Sequence, residues 1–235
     1  MVCQTNRRCI TLKEKSFLQS KAYDYIKEQI LEGKLLPDTL YSEARLSKEL
    51  DISRTPIREA LQCLSQDGYI SIVPSKGFML RHLTEKDMQE TIEVRCAIEG
   101  FCTHRIAGQL TTEKGKRLLE ELEEILEQMR NAKDADDGLQ TFIDCDHAFH
   151  LAIVGYVENN EFNQLFQRLL YLIHLTSATA LSVTGRVEGT LQEHELYYRA
   201  LREGNGNEAY QIMIRHLMMP LNLHDHSGSP SSSVS

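Results

Sequence analysis

The placement of proline constrains this 235-residue chain more than any other feature. Five prolines occur, at Pro37, Pro56, Pro74, Pro220 and Pro230, and none lies between Leu83 and Met219. Proline breaks helix interiors, so the first part must be built from short elements, whereas the long proline-free stretch is open to long helices. That stretch carries apolar residues at helical spacing and reads as about six helices, near 84–108, 111–131, 138–157, 160–182, 188–203 and 206–219. The helix near 113–130 is the clearest. Leu118, Leu122, Ile125, Leu126 and Met129 form its stripe, and Glu120, Glu121, Glu123, Glu124 and Glu127 form a solvated face.

The first part reads differently. Ala22, Ile26 and Ile30 mark one helix, stopped by Gly33 and Pro37. Ser42 caps a short helix through Leu50, and residues 51–53 make a turn. A third helix carries TPIREALQCLSQDG, with Ile57, Ala60, Leu61 and Leu64 on one face and Gly68 at its end. YISIV and FMLRHL, joined by Pro74-Ser75-Lys76-Gly77, read as a β-hairpin. Three short helices and a hairpin make a winged helix-turn-helix. The expected architecture is therefore mainly α, with this unit at 15–83 and an all-helical bundle of six to seven helices at 84–226. A flexible arm at 1–14 and a disordered polar tail at 227–235 complete the expected organisation.

Charge supports two units with different partners. The net charge of −8 disfavours a uniformly basic nucleic-acid binder, yet residues 1–83 carry +3 and residues 84–235 carry −11. No apolar run is long enough to span a membrane, and no apolar stretch follows Arg7 and Arg8, so neither a transmembrane helix nor a secretory signal is expected. The six cysteines show no CxxC spacing and read as reduced thiols. A cytoplasmic protein is expected.

A winged helix-turn-helix places the N-terminal part of its third helix in the major groove of double-stranded DNA. Ser53, Arg54, Thr55, Arg58 and Gln62 lie there, on the side away from the apolar stripe. An arginine fork pairs with the two acceptors of guanine. Lys76 and Gly77, at the wing tip, suit close approach to a phosphate or a minor groove. The alternative is that these arginines are only solvated surface charges.

The helical part holds a second constellation. Asp146 and His150 share one helix face with Ile143, Ile153 and Val154, while His194 and His216 lie on apolar stripes of two later helices. Buried polar groups need partners, so each histidine could be a hydrogen-bonded core residue. One carboxylate and three imidazoles converging in a bundle also suit a divalent transition metal: zinc first, with nickel or manganese as alternatives. Arg95 and Glu99, four apart, are either an ion pair or, for Arg95, a clamp on an effector carboxylate. His174 either points into the same cavity or belongs to the core.

The stretch from Ala22 to Leu80, and above all SRTPIREAL, resembles the DNA-binding domain of the GntR family of bacterial transcription regulators. The family often has an arginine where Ala44 stands, so either Arg45 takes that contact or the operator differs there. EVRCAIEG, DCDHAFHLAI and QEHELYYRALREGNGNEAYQIMIRHL resemble the FCD effector domain of the FadR-like subfamily. The resemblance implies metal ligands at Asp146, His150, His194 and His216, and effector binding at Arg95. It implies a homodimer on a palindromic operator, controlled by a small carboxylate-bearing metabolite, and usually a repressor. A regulator with a purely structural metal is one rival. A metal-dependent hydrolase is another, although Glu99 is the only spare acid on an inward stripe that could serve it as a base.

Overall fold

The computed structural model describes the backbone of residues 3–36, 38–82 and 84–227, and side chains between Phe17 and Leu223. The chain divides into two compact units, Met1–His82 and Leu83–Ser235.

In the first unit, α1 spans Cys3–Leu31, α2 Glu43–Leu50 and α3 Arg54–Gln66. The helix begins at Cys3, where a loose arm was expected, because no proline or glycine interrupts residues 3–31. Ala22, Ile26 and Ile30 are buried, and the chain leaves the helix through Gly33 at φ 69°. The Ser42 hydroxyl accepts from the Ala44 amide at 3.2 Å and starts α2. Asp51, at φ 53°, ends it in the left-handed region. Pro56 sits in the first turn of α3, where amides have no helical partner. Ile57, Ala60, Leu61 and Leu64 are buried against the other helices.

The hairpin pairs β1 (Ile70–Val73) with β2 (Gly77–Leu80), antiparallel, with Ile70 opposite Leu80. The second strand begins one residue earlier than its apolar run suggested and stops at Leu80. An isolated antiparallel bridge joins Tyr41 to Phe78, whose rings stack at 5.5 Å. This pairing ties the loop before α2 to the wing.

The second unit contains, among the described residues, six helices: α4 Glu85–Ala107, α5 Glu113–Lys133, α6 Leu139–Tyr156, α7 Asn160–Leu181, α8 Arg186–Arg202 and α9 Gly206–Ser227. Thr84 and Asp87 form a reciprocal capping box that starts α4. Thr112 and Asn159 cap α5 and α7 through their side chains. α6 packs against α4, α5 and α7, and α9 packs against α4 and α8. The glutamate face of α5 is exposed, while Leu118, Leu122, Leu126 and Met129 meet Phe142, Phe149 and Leu201 in the core.

α9 runs past the expected stop at 219 and takes Pro220 into its interior. Proline removes one amide and one helical hydrogen bond but still fits helical φ, so the helix continues at the cost of that bond. Of the polar tail, only Ser227 falls within the described residues, as the last residue of α9; 228–235 lie outside them. Among the described residues, no helix is long and apolar enough to cross a membrane.

Candidate metal centre and DNA-facing surface

The bundle brings Asp146 and His150 of α6 together with His194 of α8 and His216 of α9. One donor atom from each lies within 4.8 Å of all the others. Asp146, His150 and His194 are buried and His216 is half-buried. What decides the chemistry is the far side of each ring. His150 Nδ1 donates to Glu99 Oε2 at 2.5 Å, His194 Nδ1 to the Thr190 carbonyl at 2.8 Å, and His216 Nδ1 to Glu193 Oε2 at 2.8 Å. The Thr190 carbonyl and the ionised Glu193 can only accept, so His194 and His216 carry the hydrogen on Nδ1 and a lone pair on Nε2; an ionised Glu99, paired with Arg95 against the upward push of burial, sets His150 the same way.

Those lone pairs face one another. His150 Nε2 is 3.1 Å from His216 Nε2 and 3.4 Å from His194 Nε2. Asp146 Oδ1 adds a fourth acceptor, 3.5 Å from His194 Nε2 and 3.8 Å from His150 Nε2. Four converging acceptors without a donor repel. A divalent cation resolves that repulsion, and imidazoles held from behind by carboxylate or carbonyl are the usual support for one. The residues therefore fit a transition metal.

The electrostatics agree. Burial pushes the His194 imidazole down to about 4, against the opposing pull of Asp146, and holds His150 well below its ordinary value. Both rings are neutral near pH 7, as ligands must be. Burial acts to raise the Asp146 carboxyl, and positive charge at the site, on the imidazoles when they are protonated, acts to lower it and prevails. Burial likewise opposes ionisation of Glu193, and hydrogen bonds from His216 and Arg186 overcome it, setting its pKa at about 2. The edge of the Phe149 ring meets His194 at 4.4 Å between centroids and closes the apolar side.

Arg95 is buried and its Nε donates to Glu99 Oε1 at 2.8 Å, so the i, i+4 pair forms. Glu99 uses its other oxygen on His150, which engages both oxygens of the carboxylate proposed from sequence as a spare base. Arg95 Nη2 is buried and has no protein partner. Arg95 is one of the residues lining a small cavity with Asp146 and His216. His174 is not among that cavity's lining residues. Its ring lies 5.3 Å from the His147 ring, and burial lowers its pKa. It is a half-buried side chain of α7 beside His147 of α6.

Two supporting residues were missed from sequence. Glu193 precedes His194, yet it serves His216 on the next helix. Arg186 donates to both Glu193 oxygens at 3.0 Å and to Thr190 Oγ1 at 2.9 Å. The only sequence signal was the seven-residue spacing from Arg186 to Glu193, two turns of one helix.

In the first unit, Ser53, Arg54, Thr55, Arg58 and Gln62 are exposed along α3, as is Lys76 at the wing. Ser53 flanks α3 without making a side-chain cap. Ala44, Arg54, Arg58 and Lys76 line one hollow between the helices and the wing. Arg45 lies about 100° round α2 from Ala44 and lines a different hollow with Tyr25 and Glu49. Gly77 has a structural task at the wing. It is buried at φ 140°, and a Cβ there would lie 1.9 Å from the Tyr41 carbonyl oxygen. The glycine serves the Tyr41–Phe78 bridge.

Comparison with known proteins agrees with both units. Residues 18–80 match the bacterial regulatory proteins of the gntR family, and residues 90–218 match the FCD domain. The HTH-type transcriptional regulator YdhC of Bacillus subtilis (strain 168) is 26% identical over 83% of this chain and 85% of its own length. The gluconate operon transcriptional repressor of Bacillus licheniformis is 30% identical over 75% of this chain and 72% of its own. In fold, the structure of McbR/YncC from E. coli superposes with a TM-score of 0.72 at 19% identity, covering 90% of this chain and 99% of that one.

Proposed function

The chain belongs to the gntR family of bacterial regulatory proteins, in the group that carries an FCD domain, and from that premise we propose a regulator whose DNA binding is controlled by a metal-held organic acid. It is a DNA-binding transcription regulator of this family. The finer reading concerns how it works.

Asp146, His150, His194 and His216 would hold a divalent transition metal, with zinc the first choice for three imidazoles and a carboxylate. Bound there, the metal supplies a Lewis-acid site for a carboxylate oxygen. Arg95, which lines the cavity and whose buried Nη2 has no protein partner, would take the other oxygen. The observation that carries the reading is the acceptor behind each of the three rings, which turns the three Nε2 atoms toward one point beside Asp146. A hydrolytic enzyme is not favoured, because both oxygens of Glu99 are engaged.

Arg54, Thr55, Arg58 and Gln62 would read base edges, and Ser53 and Lys76 would hold the backbone. A homodimer on a palindromic operator fits a helix-turn-helix regulator, and repression fits the name of the gluconate operon relative. An acid alters DNA binding only if it binds one arrangement of the dimer better than the other.

Elemental analysis of the purified protein, followed by operator titrations with and without small acids, tests the reading. About one metal ion per chain and an acid-dependent shift in DNA affinity are expected. A protein that neither retains nor takes up zinc would overturn the metal assignment. A metal-loaded protein whose stability and DNA affinity ignore every acid would reduce the metal to a structural role.

A further inference from the structure

The hollow lined by Arg54, Arg58 and Lys76 is also lined by Ala44, Ile72 and Val73. An exposed apolar side chain is ordinary on a protein surface, so its place decides whether it means anything. Ile72 is 44% exposed, and Ala44 is exposed in the first turn of α2, so both lie outside the core. In the hairpin, Ile70 stands opposite Leu80 and Ile72 opposite Phe78. Ile70, Phe78 and Leu80 are buried. Ile72, two residues on from Ile70, continues their face beyond the core to the hollow.

Local structure fixes the apolar groups beside the charged ones. The Ser42 hydroxyl accepts from the Ala44 amide at 3.2 Å, which sets the start of α2. Glu43, the residue before Ala44, holds Arg58 Nε at 2.7 Å. A hydrogen-bonding fork and a bare methyl therefore line one hollow from adjoining helices. DNA offers little that matches the methyl. Phosphates and most base edges form hydrogen bonds, and the apolar group displayed in the major groove is the C5 methyl of thymine. The minor groove has no equivalent.

We infer that Ala44 and Ile72 make a thymine-methyl contact, one in each half-site, beside the pairs that the arginines read by hydrogen bonds. The inference rests on the DNA-facing surface proposed above and deepens it. Ala44 supplies the contact from α2, and its short side chain leaves room for the thymine methyl. Ile72 closes the contact from the wing, which gives the hairpin a part in sequence reading beyond holding the backbone through Lys76. Because the methyl belongs to one base of the pair, the contact also distinguishes T·A from A·T.

The test uses the full-length protein and a duplex that it selects from a random DNA pool. Each thymine of the selected site is replaced in turn by deoxyuridine, which keeps the hydrogen-bonding groups of the base and removes only the methyl. At one position of each half-site the replacement should weaken binding about fourfold, the worth of one buried methyl. Ala44→Gly should bring that ratio close to one, and Ile72→Ser should at least halve it. The ratio compares two duplexes on one protein, so a small loss of stability in either variant cancels. A site with no methyl-sensitive thymine, or a ratio unchanged in both variants, overturns the inference. A ratio unchanged in one variant removes that residue from the contact. Arg58→Ala and Lys76→Ala test the reading beneath. If both bind the selected duplex as the wild type does, or if the pool yields no preferred sequence, the DNA-facing surface and the inference fall together. If either weakens binding while no thymine is methyl-sensitive, the surface stands and the methyl contact alone falls.

Discussion

Arg58 Nε lies 2.7 Å from Glu43 Oε2, joining α3 to α2 on the surface proposed to face DNA. The pair is open to water, with the arginine side chain 62% exposed, so its worth to folding is small. Its worth to recognition is order, because it holds a long side chain at one place near the start of the recognition helix. Arg58→Ala should cost about 1–3 kcal/mol of operator affinity and relax specificity at one base. Glu43→Gln separates ordering from charge. Removing an acid should strengthen binding to random DNA, while loss of the restraint should weaken binding to the operator. Paired titrations at one salt concentration measure the ratio. A ratio that rises, or stays constant, shows that Glu43 does not position Arg58.

Gly77→Ala is expected to damage the first unit without reference to DNA. The added methyl would meet the Tyr41 carbonyl, at a φ of 140° that side chains avoid. A lower melting temperature of the winged unit, with the second unit's zinc response intact, is the expected result. A variant of normal stability that has lost only DNA affinity would return Gly77 to the DNA-contact role.

Zinc should stabilise the second unit, and His194→Ala should abolish that gain. Zinc at a hundredfold its dissociation constant adds about 2.7 kcal/mol, or about 5–10 °C for a domain of this size. Thermal melts with zinc and with chelator provide the measurement. An equal zinc response in His194→Ala would remove His194 from the ligand set.

His174 gives a pH dependence separate from the donor cluster. Burial lowers its folded pKa, while the unfolded chain keeps the ordinary value of about 6.5. The unfolded state therefore binds the proton first as the pH falls. The contribution is full above about pH 6.5 and is lost on acidification toward the depressed folded pKa. His174→Gln should flatten the stability curve of the metal-free protein below about pH 6.5. Its acid affinity should be unchanged, since His174 does not line the cavity beside Asp146. A slope identical to wild type would show that His174 is not held neutral.

Much of this architecture was legible along the chain because it depends on neighbours in sequence. Ser42 and Thr112 cap the helices that follow them, and the apolar stripe of α5 is buried as its spacing requires. Asp146 and His150 share a face because four residues bring a helix round once. The partners of His150 and His216 were not legible. Glu99 is 51 residues from His150, and Glu193 is 23 from His216, so no local period links them.

The sequence by itself determined the order of elements, the winged unit followed by a helical bundle, and the four inward-facing donors, because turn chemistry and apolar periodicity act over a few residues. Tertiary structure decided the rest. It put Arg45 and Ala44 on different hollows, placed Gly77 under Tyr41, and set His174 beside His147. It also gave Arg186 and Glu193 their places behind the donor cluster. Those roles follow from which atoms come within hydrogen-bond reach across packed helices, a property of crossing angles and side-chain fit that sequence spacing does not encode.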